Sequence, residues 1–139
     1  MNISHIEHLG IAVNSIEEHR PFYEQVLGWE CYNIEVVEDQ KVKTAFFKVG
    51  NSNTKIELLE PTSPDSTIAK FIEKKGEGIH HIAYCVPDTQ EALDKAKELG
   101  VQLIDEKARK GAEGLLIGFM HPKSTGKVLT EVCSNPDKK

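Results

Sequence analysis

Two histidines and two glutamates recur at nearly the same interval along the chain. His8 stands in His8-Leu9-Gly10-Ile11-Ala12-Val13 and His81 in His81-Ile82-Ala83-Tyr84-Cys85-Val86, 73 residues later. Glu57 stands in Lys55-Ile56-Glu57-Leu58 and Glu131 in Leu129-Thr130-Glu131-Val132, 74 residues later. Each segment alternates as a strand does, with successive side chains on opposite faces. Leu9, Ile11 and Val13 then share a bulky face, and His8, Gly10 and Ala12 the other. In the second copy Ile82, Tyr84 and Val86 oppose His81, Ala83 and Cys85, while Ile56 and Leu58 oppose Glu57, and Thr130 and Val132 oppose Glu131. A carboxylate on a half-buried strand must be paired or hold a metal, because an isolated buried charge is prohibitively costly. Imidazole together with carboxylate suits Zn²⁺, Co²⁺, Mn²⁺, Ni²⁺ or Fe²⁺. A lone histidine on a strand is more commonly a hydrogen-bonded structural residue; recurrence with a glutamate favours metal. One shared site is therefore expected, with His8, Glu57, His81 and Glu131 as its ligands.

The remaining reactive side chains carry less. His5 and His80 fall on the opposite strand face by parity, and His19 lies in a polar helical pattern. His121 opens the turn-rich run His121-Pro122-Lys123-Ser124-Thr125-Gly126. That run reads equally as an ordinary hairpin turn or as a loop gripping substrate through His121, Lys123 and Ser124. Cys31, Cys85 and Cys133 form no close-spaced metal motif and leave one unpaired in any disulfide scheme, so reduced thiols acting as small buried hydrophobes are expected.

The elements that must position these residues are themselves duplicated, over about 5–61 and 78–134. Each copy reads as strand, helix, then three strands. The first strands cover 5–13 and 79–86. The helices cover 15–27 and 88–99, with Ser15 and Asp88 as N-caps, and Gly28 and Gly100 at left-handed C-terminal positions. Pro21 should start or kink the first helix. Further strands are expected at 29–38, 42–49, 54–60, 102–106, 115–120 and 127–133, and a short helix from Thr67 to Lys74 follows the link Pro61-Thr62-Ser63-Pro64-Asp65-Ser66. Modules this small cannot each bury a core, so an α+β fold of one cupped eight-stranded mixed sheet is expected, a single domain over residues 1–139.

Composition narrows the function. With 39% hydrophobic residues the chain is too apolar for disorder, and a net charge of −5 offers no basic footprint for nucleic acid. No apolar stretch is long enough to span a membrane, and residues 1–15 lack a basic start followed by an apolar run. A cytoplasmic protein acting on a small molecule is the expectation.

These residues resemble the vicinal oxygen chelate superfamily and, within it, the methylmalonyl-CoA epimerase family. The likeness spans about residues 5–134. It rests on His8 to Val13, Lys55-Ile56-Glu57-Leu58-Leu59-Glu60-Pro61, Ser63 to Phe71, Gly76-Glu77-Gly78-Ile79-His80-His81-Ile82-Ala83, and His121 to Gly126. The resemblance implies a divalent ion, commonly Co²⁺ and otherwise Zn²⁺, Mn²⁺, Ni²⁺ or Mg²⁺, held by His8, His81 and Glu131 with Glu57 as a further ligand. It implies interconversion of the 2R and 2S forms of methylmalonyl-CoA through a metal-stabilised enolate, and relatives on this fold imply a homodimer. Glu131 is then one catalytic acid–base group. The second falls in Glu38-Asp39-Gln40-Lys41, where Asp39 aligns best and Glu38 is its rival. Lys41 and Lys127 stand where the family favours glycine. Rival readings on the same fold are a glyoxalase-type lyase acting on a glutathione hemithioacetal, an iron-dependent ring-cleaving oxygenase and a metal-free drug-binding module. Four retained polar positions argue against the last of these.

Overall fold

The strand, helix and three-strand order is present twice in the computed structural model, which describes residues 1–137. The first copy comprises β1 (His5–Ala12), α1 (Ile16–Pro21), β2 (Cys31–Val37), β3 (Val42–Lys48) and β4 (Lys55–Pro61), followed by α2 (Thr67–Lys75). The second comprises β5 (Gly78–Cys85), α3 (Thr89–Glu98), β6 (Arg109–Lys110), β7 (Leu116–Met120) and β8 (Thr130–Ser134). The chain divides into two units, one of residues 8–80 and one of residues 1–7 with the chain from His81 onward.

In the unit of residues 8–80 the strand order is β2-β3-β4-β1, with β1 parallel to β4 and the other pairs antiparallel. A parallel neighbour needs a crossover, and α1 with β2 and β3 supplies it. Ser15 caps α1 by accepting from the Glu18 N–H at 3.3 Å, and the Glu60 carboxylate accepts from the Ile16 N–H at 2.8 Å. Pro21 has no N–H to give and its ring crowds the carbonyl four residues back. The chain accordingly widens after it into a π-type turn over Phe22–Val26, in which the Leu27 N–H reaches the Phe22 carbonyl at 3.1 Å. Gly28, at φ 71°, then ends the helical run as expected. Val13, Ile16, Ala45, Phe47, Ile56 and Leu58 form the core beneath α1, the bulky face anticipated from alternation. On the opposite face α2 packs Ile68 against Ala12, Val42 and Leu59.

The other unit repeats the scheme as β5-β8-β7-β6, with β5 parallel to β8. Asp88 caps α3 through the Glu91 N–H at 3.0 Å, and Gly100 is left-handed at φ 92°. Leu93, Ala92 and Ala96 of α3 pack on Val86, Met120 and Val132. The helix lies close against β7: a Cβ built on Gly118 would stand 2.6 Å from Leu93 Cδ1. Thr89 ties the helix start to the sheet, its hydroxyl donating to the Leu116 carbonyl at 2.8 Å and lying 2.7 Å from the Ser134 hydroxyl.

One expected strand is absent. Residues 102–106 make only a single bridge, Leu103 to Met120. The Ile104 and Asp105 N–H groups both donate to the Phe119 carbonyl, while the Asp105 carboxylate accepts from the Phe119 N–H at 2.9 Å. A side-chain acceptor thus takes the place of a backbone carbonyl and the chain bends out of the ladder. The edge is completed by Arg109–Lys110, paired with β7 at Ile117 and Leu116.

Candidate metal centre

In the unit of residues 8–80, register fixes the surroundings of Glu57. It lies opposite Gly10 of β1 on one side and Phe46 of β3 on the other. With no side chain at Gly10, the carboxylate is free to reach along β1. Glu57 Oε2 stands 3.1 Å from Nδ1 of His8. Both residues are buried, His8 at 4% and Glu57 at 6% exposure. Phe46 is wholly buried and lies against the ring of Tyr32, 5.9 Å between centroids, forming an apolar wall beside the carboxylate.

The other unit builds the same arrangement from the second copy. Glu131 of β8 lies opposite Ala83 of β5 and Phe119 of β7. Glu131 Oε1 stands 3.2 Å from Nε2 of His81, and both residues are again buried. The Phe119 ring meets the His81 imidazole edge to face at 5.3 Å, while the Arg109 guanidinium lies 5.8 Å from the same ring. The small residue, the histidine two positions before it and the opposed phenylalanine all recur.

Each pair offers an imidazole nitrogen and a carboxylate oxygen at contact distance in a dry setting. His8 with Glu57 and His81 with Glu131 both belong to groups of side chains able to hold a metal ion. The donor set fits a divalent cation of the zinc or cobalt type. Burial of a carboxylate also makes sense in these terms, since a cation offsets its desolvation. The two imidazoles turn different nitrogens toward their glutamates, Nδ1 in His8 and Nε2 in His81.

The remaining anticipated residues lie in two short turns. Glu38 and Asp39 are exposed in a single 3₁₀ turn, Glu38–Gln40, closed by Lys41 in the left-handed region at φ 54° and ψ 49°. Lys41 Nζ pairs with Asp65, whose side chain also accepts from the Ser63 hydroxyl. These two contacts, the lysine foremost, hold the Asp65 carboxyl down at about 2. His121 Nδ1 accepts from the Lys123 N–H at 3.0 Å and the Ser124 hydroxyl from the Gln102 N–H at 2.9 Å, so both side chains brace the 3₁₀ turn Pro122–Ser124, with Lys123 exposed. The other histidines make other contacts: His5 and His80, set aside by parity, with Ser4 and edge-on to Phe71, and His19 of the polar helical pattern with Glu77.

Phe46 and Phe119 were not singled out from sequence. They stand 73 residues apart, as His8 and His81 do, so the repeat itself carried the signal. Glu7, adjacent to His8 and buried, is likewise unforeseen, and nothing in its sequence position distinguishes it.

Comparison with known proteins places this geometry in a family. The model of the Glyoxalase/Bleomycin resistance protein/Dioxygenase superfamily matches residues 7–119. The chain is 38% identical over 132 residues to the ethylmalonyl-CoA/methylmalonyl-CoA epimerase of Cereibacter sphaeroides, covering 94% of this chain and 97% of that protein. It is 46% identical over 131 residues to the Bacillus subtilis protein YqjC, covering 94% and 92%. Its fold matches a variant of Streptomyces coelicolor methylmalonyl-CoA epimerase in complex with 2-nitronate-propionyl-CoA, with a TM-score of 0.94, 33% identity and 99% of each chain covered. The chain therefore belongs to the glyoxalase/bleomycin resistance protein/dioxygenase superfamily and, within it, to the methylmalonyl-CoA epimerase family. Its α+β, tandem βαβββ architecture is that of the vicinal oxygen chelate fold.

Proposed function

We propose that this protein is a metal-dependent methylmalonyl-CoA epimerase, interconverting the 2R and 2S thioesters, with one divalent ion, Co²⁺ foremost, held by His8, Glu57, His81 and Glu131. The observation that carries the reading is the buried histidine–glutamate pair found once in each unit, in a chain whose relatives include methylmalonyl-CoA epimerases. When bound, the ion supplies Lewis-acid polarisation of the thioester carbonyl, lowering the cost of forming an enolate at C2 by several kcal/mol.

The chain's own groups supply the rest. The Glu131 carboxylate, dry and flanked by Phe119, is the base that takes the α-proton from one face of C2 and, in the reverse direction, the acid that delivers a proton there. Epimerisation needs an acid on the other face. Asp39, or Glu38 beside it, takes that part from the exposed turn Glu38–Gln40. The His121-Pro122-Lys123-Ser124 turn is a rigid edge for the acyl-CoA, with the Lys123 ammonium as its cation. The protein is taken to be a cytoplasmic homodimer whose partner is a small acyl-CoA; no helix among the described residues is long and apolar enough to cross a membrane.

The test is substitution within each pair. Glu131→Gln should lower epimerase turnover by about 10²-fold or more, the scale of a lost general base, and His8→Ala should lower it strongly by removing a ligand of the ion that polarises the carbonyl. Turnover retained in either variant would overturn the site assignment.

A further inference from the structure

Cys85 and Cys133 lie directly opposite each other in the register of the parallel pair β5 and β8. By alternation Cys85 shares a face with His81 and Ala83, and Cys133 shares it with Glu131. Neighbouring strands run about 4.8 Å apart, within the roughly 4.4–6.8 Å between Cα atoms that a disulfide spans. The two thiols differ in access. Cys133 is wholly buried, with Sγ turned to β5 and 3.6 Å from the Tyr84 carbonyl oxygen, whereas Cys85 is half-buried. That is the arrangement of an attackable thiol with a resolving thiol behind it.

We propose that Cys85 and Cys133 form a peroxide-oxidisable dithiol whose closure weakens metal binding by the adjacent His81–Glu131 pair; the second half rests on the metal reading above. Hydrogen peroxide oxidises the Cys85 thiol to a sulfenic acid, releasing one water. The Cys133 thiol then displaces hydroxide from that sulfur, forming the S–S bond and releasing a second water; two thiols are oxidised and one peroxide is reduced. Closure requires the Cβ atoms to come to about 3.8 Å, nearer than the strand spacing sets them, so β5 and β8 must draw together or shear. Glu131 is two residues before Cys133 and His81 four before Cys85. Their 3.2 Å contact lies within reach of that displacement. Loss of the groups that orient metal ligands lowers affinity by about 10–100-fold, and a displaced strand gives up that orientation.

The test uses the full chain with two independent readouts. After mild peroxide treatment, unreduced peptide mapping should find the Cys85 and Cys133 peptides joined with the loss of two hydrogens, reversibly by dithiothreitol. Co²⁺ titration calorimetry should then give about tenfold or weaker binding in the oxidised protein and full recovery on reduction. Cys85→Ala and Cys85→Ser should bind Co²⁺ as the reduced protein does and ignore peroxide. Sulfinic acid at Cys85 without a link, a link through Cys31 instead, or a Cys85–Cys133 link that leaves Co²⁺ affinity unchanged would each overturn the proposal. A reduced protein that takes up no Co²⁺ would refute the metal reading and the control of affinity with it, while the joined peptides would still report the dithiol separately.

Discussion

Lys127 occupies a backbone conformation that suits glycine. Its φ is 71° and it follows Gly126 at 68°, so the turn leading into β8 needs two left-handed residues in succession. A side chain there crowds the following carbonyl at a cost of about 1–2 kcal/mol. Glycine relieves that cost but gives back about 0.5–1 kcal/mol through the greater freedom of the unfolded chain. Lys127→Gly should thus stabilise the protein by about 1 kcal/mol. The Lys127 N–H donates to the Pro122 carbonyl at 2.8 Å, a bond that glycine keeps, and the lysine side chain is exposed. For a chain of 139 residues, unfolding entropy near 2.1 cal/mol/K per residue converts this gain to a rise in Tm of about 3 °C. Lys41→Gly relieves the same strain at φ 54° but deletes the ion pair with Asp65, so its rise should be smaller. Differential scanning calorimetry of the three proteins, all stripped of metal, gives the comparison. An unchanged or lowered Tm for Lys127→Gly would refute the strain argument. A rise for Lys41→Gly equal to that for Lys127→Gly would refute the stabilising part given to Asp65.

Three more outcomes follow from the packing and the charges. Gly118→Ala should cost about 1–3 kcal/mol in urea unfolding, because the new methyl meets the buried Leu93 side chain. Glu77 accepts from the Asn14 N–H at 2.7 Å and from His19 Nε2 at 2.8 Å, contacts that hold its carboxyl below the usual 4.5. Its contribution is therefore present above that ordinary value and lost as the pH falls through the lowered one. Accordingly Glu77→Gln should be less stable than the parent at pH 7, with the gap closing in acid, as urea midpoints at a series of pH values will register. Glu57→Gln keeps a carbonyl oxygen at the proposed site but loses its charge, so calorimetric Co²⁺ affinity should fall by at least the ~10–100-fold that altering a group behind a ligand costs, while binding persists.

What could be read from the sequence followed the repeat. His8, His81, Glu57 and Glu131 stood out because each polar residue recurred at a strand position opposite bulky neighbours, and the register then set each glutamate beside Gly10 or Ala83. The helix boundaries at Ser15, Asp88, Gly28 and Gly100 were legible because caps and left-handed ends need particular residues. Phe46 and Phe119 escaped because an apolar side chain on a strand carries no chemical mark of its own. The strand expected at 102–106 failed because alternation cannot register that Asp105 bonds the Phe119 N–H itself. Lys41 and Lys127 stood out because the resemblance implied glycine there, and both have φ in the left-handed region that favours glycine.

Deuterium uptake from solvent at C2 of methylmalonyl-CoA, set against the spontaneous exchange rate, tests the central claim most directly. Uptake that is fast with the protein, disappears on chelation and returns with added Co²⁺ is the predicted result. Uptake no faster than background in the presence of Co²⁺ would contradict metal-assisted α-proton transfer on this substrate.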